Sequence, residues 1–338
     1  PPASLMELIE AYGTPLKTER GRRVFPVSDR SGDVLSALLR YAAGAEIRHG
    51  HVSSLITEHG KVTGLKIEEE ALPFDAVILA TGGLSYPLTG SDGSGYTLAQ
   101  QAGHTIVPPV ASLVPLESFS PDCAEMQGLS LRNVRIVLYA PDGKAVYDDF
   151  GEMLFTHFGV SGPTVLSASA HLKAENISGY VLSVDLKPAL DEAQLDHRLL
   201  SDFAKYANRD FSNALCDLLP QKMIPVIIRR CGIPPRKKVN EVTKAERQNL
   251  LRLLKHFTIP LSCRRPIEEA IVTHGGVNVK EINPKTMESR LLKDLWFAGE
   301  IMDVDAYTGG FNLQIAFSTG YLAGKCAAKS SDSSEDRS

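Results

Sequence analysis

Three glycine-bearing stretches and one histidine loop carry the residues best suited to chemistry. Ala80-Thr81-Gly82-Gly83 follows the short apolar run F-D-A-V-I-L-A, residues 74–80. Consecutive glycines past a strand end let main chain approach a ligand with no Cβ in the way. Ligands of open α/β sheets bind beyond the carboxyl ends of strands, although an ordinary strand-to-loop turn uses the same residues. Y-P-L-T-G-S-D-G-S-G-Y, residues 86–96, places glycines at 90, 93 and 95 before a helix expected at Tyr96–Ala102. A glycine loop feeding a helix N-terminus can hold an anion. The order here is G-x-x-G-x-G with no following Lys, and a mobile surface loop fits equally well. The third stretch is F-A-G-E-I-M-D-V-D-A-Y-T-G-G-F-N-L-Q, residues 297–314. A strand ends at Gly299-Glu300, a loop carries Asp303 and Asp305, and Gly309-Gly310 opens a long helix. The free N–H groups and positive dipole end of that helix would face whatever rests on the glycines. A ring system that gains negative charge on reduction is stabilised in such a place.

His157 lies in T-H-F-G-V-S-G-P with Ser161 four residues on. Histidine is the usual general acid or base near neutral pH, and it can equally pin a loop by bonding main chain. His274 adjoins Gly275-Gly276, where a glycine turn explains the stretch. His49, His51 and His59 read as surface residues. No His, Cys, Asp or Glu group has metal-ligand spacing, and there is no G-x-S-x-G elbow.

The elements that must position these residues follow from periodicity. The chain has 338 residues, a soft prior of two to three domains. A hydrophobic fraction of 43% and a charged fraction of 22% exclude a disordered or fibrous chain. The net charge of −4 gives no bulk sign of nucleic-acid binding. No run of 18 apolar residues is present. Five scattered cysteines (Cys123, Cys216, Cys231, Cys263, Cys326) read as reduced thiols of a cytoplasmic protein. Ser4 and Glu7 predict a capping box before a helix stopped by Gly13. Val34, Leu35, Leu38, Leu39 and Ala42 predict a second amphipathic helix. A-E-I-R-H, V-S-S-L-I-T and K-V-T-G-L-K-I predict a meander turning at His59-Gly60, and residues 74–80 a strand buried on both faces. Short β-type runs at 135–139 and 180–186 flank the turn signal Pro141-Asp142-Gly143. Residues 191–256 turn helical, with Leu215, Leu218 and Leu219 marking one helix. The cluster Arg229, Arg230, Arg236, Lys237 and Lys238 fits an acidic partner or a solvated helix end. After Pro266 the chain returns to α/β, with strands at 271–279 and 295–300. A C-terminal helix follows, whose Ala316, Gly320, Gly324 and Ala327 would permit close packing.

D-A-V-I-L-A-T-G-G together with G-E-I-M-D-V-D-A-Y-T-G-G-F-N-L-Q-I-A-F-S-T-G resembles a two-dinucleotide-domain flavoprotein. More narrowly, the sequence is similar to the bacterial aminoacetone-oxidase/BaiN family of FAD-binding enzymes. G-R-R-V-F-P (21–26), A-S-L-V-P-L (111–116), L-F-T-H-F-G-V-S-G-P (154–163), V-T-H-G-G-V and P-K-T-M-E-S extend the resemblance in order over nearly the whole chain. It implies an α/β fold: a FAD/NAD(P)-binding Rossmann-like domain with inserted β-barrel-like and helical domains. The boundaries expected are 1–110 with 265–330 for the FAD domain, 111–189 for the β-rich insertion, 190–264 for the helical insertion and 331–338 for a disordered tail. No G-x-G-x-x-G occurs in the sequence, so the first βαβ unit of such a domain is expected to be missing.

By resemblance, Val52 meets the adenine through its backbone, and Ala80, Thr81 and Gly82 line the dinucleotide. Gly299 and Glu300 sit by the ribityl chain and pyrophosphate. Gly309, Gly310, Phe311, Asn312, Leu313 and Gln314 cradle the isoalloxazine. Asp303 lies near the ribityl hydroxyls, or is a loop carboxylate favoured by the helix dipole. His157 and Ser161 face the substrate if the inserted domain caps the flavin. The implied activity is FAD-dependent hydride transfer between a small or planar organic substrate and NAD(P)H or oxygen. The partner expected is that small-molecule substrate, with no membrane and no nucleic acid, and the oligomeric state is left open. The other reading is a non-redox binding protein on the same scaffold that contacts another macromolecule, with the basic cluster as its support.

Overall fold

The computed structural model describes residues 1–172 and 176–335. The chain divides into two units, Pro1–Ser112 with Ile271–Ser338, and Leu113–Ala270.

The first unit opens with helix α1 (Pro2–Ala11), hairpin strands β1 (Leu16–Glu19) and β2 (Arg23–Pro26), and helix α2 (Ser31–Tyr41). Helix α1 starts two residues before Ser4 and has no side-chain cap, so the expected capping box does not form. Proline early in the first turn already has helical φ and brings no N–H to be capped. On α2 only Ala37 is buried, while Leu35 and Leu39 are 58% and 51% exposed. The face read as a core face is open over these two leucines. Residues 45–49 form no strand. Strands β3 (Val52–Glu58), β4 (Lys61–Ile67) and β5 (Glu70–Pro73) make the antiparallel meander. His59 and Gly60 both take positive φ, 49° and 78°, as a tight two-residue hairpin requires. Strand β6 (Val77–Leu79) leads to helix α3 (Ser94–Gln101) and strand β7 (Ile106–Ser112).

The second unit contains β8 (Leu116–Glu117), α4 (Pro121–Glu125), β9 (Ser130–Tyr139), β10 (Ala145–Phe155), β11 (Gly159–Ser161), α5 (Pro163–Ser169) and β12 (Val181–Asp185). Helices α6 (Glu192–Lys205), α7 (Phe211–Ala214), α8 (Ile224–Cys231) and α9 (Lys244–Lys255) precede β13 (Phe257–Pro260). The six strands form one antiparallel sheet in the order β13-β12-β9-β10-β11-β8. The sheet curls: Glu117 N–H donates to the Cys263 carbonyl at 2.8 Å, and Ser262 N–H to the Glu117 carbonyl at 2.9 Å. These bonds join β8 to the residues just past β13, so the two ends of the sheet meet. Leu215, Leu218 and Leu219 are buried in turns rather than on a helix, because α7 stops at Ala214. One hydrophobic core runs from strand residues such as Ile136, Phe155 and Leu182 to helix residues such as Leu199, Ile227 and Leu250. The β-rich and helical segments therefore share their interior. Asp191 with Gln194 and Thr243 with Glu246 form capping boxes that start α6 and α9.

The chain re-enters the first unit through β14 (Val272–Val277), β15 (Leu295–Phe297) and α10 (Phe311–Glu335). Strand β14 pairs antiparallel with β7, and β15 pairs parallel with β6. Ile78 is 38% exposed, so β6 is not buried on both faces. It has one paired edge in a two-stranded sheet and alternates instead, with Val77 and Leu79 inward. Val77 and Leu79 share a core with Tyr96 and Leu98 of α3 and with Leu295, Trp296 and Phe297 of β15. On α10 it is Ala323 and Ala327 that are buried, and a Cβ at Gly320 or Gly324 would meet nothing within 4 Å. Those two glycines are not contact points. Of the expected tail, 331–335 continue α10, and residues 336–338 lie outside the described residues. Among the described residues no helix is long and apolar enough to cross a membrane.

Candidate functional site

In the first unit, Thr273 and Glu300 build a frame that holds the loop after β6 against the end of β15. Thr273 Oγ1 accepts the N–H groups of Leu84 at 2.8 Å and Ser85 at 3.1 Å. Glu300 Oε1 accepts Ser85 Oγ–H at 2.9 Å and Thr273 N–H at 2.7 Å. The loop after β6 is thereby fastened to β14 and to the end of β15. Gly83 is required by that frame, since a Cβ there would come within 2.6 Å of Thr273 Cβ and 3.1 Å of Glu300 Oε1. The carboxylate of Glu300 acts as an internal brace. Thr81 is exposed at the strand end and backs onto Gly95 in the first turn of α3, where a Cβ would collide with Thr81 Oγ1. Gly82 takes φ 75° beside Ser91.

Gly299 also has φ 75°, and its N–H donates to Thr319 Oγ1 of α10 at 2.9 Å. From there the chain runs along β14: Asp303 N–H donates to the Val277 carbonyl at 2.9 Å. Asn312 then turns the loop back onto α10. Its Oδ1 accepts Ala306 N–H at 2.8 Å and its Nδ2 donates to the Ala306 carbonyl at 2.7 Å. The Asn312 side chain is thus committed to the loop, and only its backbone is left for a ligand. Gln314 likewise donates from Nε2 to Ser318 Oγ at 3.0 Å.

Gly309 and Gly310 take φ 123° and 90°, a region that carries no penalty for glycine. A Cβ on Gly310 would meet no atom within 4 Å, so the space over it is open. The first helical bond of α10 runs from Gln314 N–H to the Gly310 carbonyl at 3.0 Å. The N–H groups of Phe311, Asn312 and Leu313 precede it and have no carbonyl within the helix to bond. Phe311 and Leu313 flank the opening with 59% and 65% exposure. Three N–H groups at a positive dipole end, bordered by apolar surface, suit a flat ring with an electronegative edge. Tyr96 is buried, and among the described residues its hydroxyl has no hydrogen-bond partner. Burial, then the charges of Glu300 and Asp303, push its phenol up to about 12, so it stays protonated at neutral pH.

Val52 starts β3 and packs against the core of the first unit. Ala80 is exposed at the end of β6. In the second unit, His157 is exposed at the turn between β10 and β11, with its ring edge-on to Phe158 at 5.0 Å. Ser161 is half-buried on β11 opposite Leu154. No hydrogen bond joins His157 to Ser161 among the described residues.

One group escaped the reading of residue types. His274 Nδ1 lies 2.8 Å from Asp305 Oδ1, and Asp305 Oδ2 accepts Ser112 Oγ–H at 2.7 Å. The β7–β14 ladder shifts register between His274 and Gly276, with Gly275 and Gly276 at φ 95° and 125°. A bulge of this kind re-aims a side chain. The glycine pair after His274 and the second acid of D-V-D were its sequence signals.

The model of the HI0933-like protein Rossmann domain matches residues 1–326. The chain is 31% identical over 314 residues to a 3-dehydro-bile acid delta(4,6)-reductase of Clostridium scindens, covering 92% of this chain and 76% of that protein. It is 32% identical over 259 residues to a ribosomal RNA dihydrouridine synthase of Escherichia coli, covering 76% of this chain and 62% of the relative. The enzyme of the same description from Haemophilus influenzae is 33% identical over 247 residues, which cover 72% of this chain and 58% of the relative. The match thus spans about three-fifths of each dihydrouridine synthase. The flavoprotein-type resemblance of the motifs, the mixed α/β build and the match over nearly the whole length agree: this chain belongs to the HI0933-like Rossmann family.

Proposed function

We propose that this protein is an FAD-dependent oxidoreductase that saturates a carbon–carbon double bond conjugated to a carbonyl in a small, planar organic substrate. The observation that carries the reading is the open, glycine-lined N-terminus of α10 at Gly309-Gly310. When bound there, FAD supplies two-electron chemistry. The N–H groups of Phe311, Asn312 and Leu313 would hold the electronegative edge of its ring and stabilise charge gained on reduction. Ala80, Thr81, Gly82 and Gly299 would line the dinucleotide, with Asp303 toward the ribityl hydroxyls. Electrons would enter from NAD(P)H, and oxygen is the competing acceptor.

The names of the relatives narrow the substrate. A 3-dehydro-bile acid delta(4,6)-reductase and a dihydrouridine synthase each describe saturation of a double bond conjugated to a carbonyl, in a steroid and in a pyrimidine ring. The small substrate is favoured here because the basic cluster is largely neutralised. Arg229 and Arg230 pair with Asp122, Lys237 with Glu246 and Lys238 with Asp210. This weakens the only support for a non-redox protein that binds a macromolecule. A cytoplasmic location fits five free thiols, with that of buried Cys123 pushed up to about 11 by burial.

The test is to reduce the flavin of the purified protein anaerobically and to offer a 3-keto-Δ4 steroid or a uridine-containing ribosomal RNA fragment. Reoxidation by the steroid with formation of the saturated ketone is expected. Reoxidation by the RNA alone would move the substrate to the pyrimidine ring. Protein without flavin or turnover would favour the non-redox reading.

A further inference from the structure

The His274–Asp305–Ser112 chain lies in the first unit and has no part in the flavin cradle. Its imidazole is 54% exposed and its carboxylate partner 14% exposed. With Nδ1 committed to Asp305, the ring is fixed in orientation and Nε2 is left as its working nitrogen. Asp305 is fixed from behind by Ser112, at the end of the strand that pairs with β14. The pair is not needed to anchor the loop. That is already done by the bond from Asp303 N–H to Val277 and by the two bonds between Asn312 and Ala306. Asp305 also lies on the segment that joins Asp303 to Gly310, so the imidazole is coupled to the loop that leads into the opening over α10. A half-exposed imidazole on a partly buried carboxylate, carried on a bulge and bonded to the loop that leads into a ligand cradle, is the form of a proton donor.

We propose that His274 is the proton donor of the reduction, with Asp305 and Ser112 as its positioning residues. This rests on the reductase reading above. The conjugated double bond takes up two hydrogens. Its β carbon receives hydride, with both electrons, from the reduced flavin, which is thereby oxidised. Its α carbon receives a proton from the Nε2–H of the His274 imidazolium, which becomes neutral imidazole and regains a proton from solvent. The electrons that reduced the flavin come from a nicotinamide dinucleotide or, in the test, from dithionite.

The experiment compares the wild type with His274→Gln, Asp305→Asn and Ser112→Ala in the flavin-loaded protein. Flavin content and the rate of reduction by dithionite should be unchanged in all of them. Reoxidation of the reduced flavin by a 3-keto-Δ4 steroid should fall about 100-fold or more in His274→Gln, less in Asp305→Asn and least in Ser112→Ala. Independently of turnover, nitrogen-15 spectra of the wild type should show His274 protonated on Nδ1 at high pH, and Asp305→Asn should lose that preference. Wild-type reoxidation rates in His274→Gln, or a neutral His274 protonated on Nε2, would overturn the proposal and leave the reductase reading standing. A wild type whose reduced flavin no conjugated ketone reoxidises would overturn both.

Discussion

The two units differ in how completely they close on themselves. In the second unit the sheet meets itself between Glu117 and Cys263, and the core runs without a break from strands to helices. On its surface, Arg135, Lys205, Arg229 and Lys238 pair with carboxylates. In the first unit, strands β6 and β15 form a two-stranded parallel pair. Val27, Leu35, Leu39, Tyr41, Ile47 and Ile78 remain exposed. Its glycines at 82, 299, 309 and 310 hold positive φ. The contrast separates a unit in which residue choice serves packing from one in which it keeps space open. Local opening should therefore be easier in the first unit, and hydrogen exchange should protect β9 and β12 more than β6 and β15.

The comparison can be broken at its tightest point. Gly83→Val drives side-chain carbons into Thr273 and Glu300. It should cost about 3 kcal/mol and raise exchange in the first unit while the second keeps its protection. Equal loss in both units would remove the distinction between them.

Asp122 offers the corresponding test in the second unit. Burial opposes its ionisation, but hydrogen bonds and charge from Arg229 and Arg230 outweigh this and hold the carboxyl below its usual range. Asp122→Asn should cost about 2 kcal/mol in denaturant unfolding at pH 7. A carboxyl whose folded value is depressed contributes stability above the ordinary carboxylate range. That contribution is lost as pH falls through the folded value. The cost of the substitution should accordingly shrink toward low pH.

The open backbone at Gly309-Gly310 was legible in the residues, because a glycine pair before a helix announces it on its own. The side-chain bonds of the site were not. Glu300 is a ligand contact only by the family resemblance, and its bonds to Ser85 and Thr273, which are distant in sequence, carry no signal in the residues around it. His274 meets Asp305 only because a bulge in β14 turns it there, and a bulge is set by strand pairing rather than by residue type. Similarly, Leu215, Leu218 and Leu219 mimic a helical stripe while packing from turns. Apolar spacing reports burial more directly than it reports the element that achieves it.

His104 gives a subtler difference. Burial lowers its pKa against the opposing pull of Glu281, so it is held neutral. Its Nε2 is 2.8 Å from Ser289 Oγ, inside the first unit. Stability from this group is complete above the ordinary imidazole value of about 6.5 and is lost as pH falls through the lower folded value, since the unfolded chain binds the proton first. Exchange in the first unit should quicken as pH falls from about 6.5 toward that lower value, and His104→Gln should flatten the dependence. Smallest of all, Gly324→Ala should stabilise α10 by about 0.7 kcal/mol, because nothing lies where its Cβ would go. A destabilised Gly324→Ala would show a helix contact absent from this account.

Flavin content per folded protein in Gly310→Val decides whether the N-terminus of α10 holds the flavin ring as proposed. Valine would fill the open space over Gly310 and strain its φ of 90°. The expected result is a folded protein that has lost most of its flavin. A Gly310→Val protein with full flavin content and unchanged turnover would contradict it.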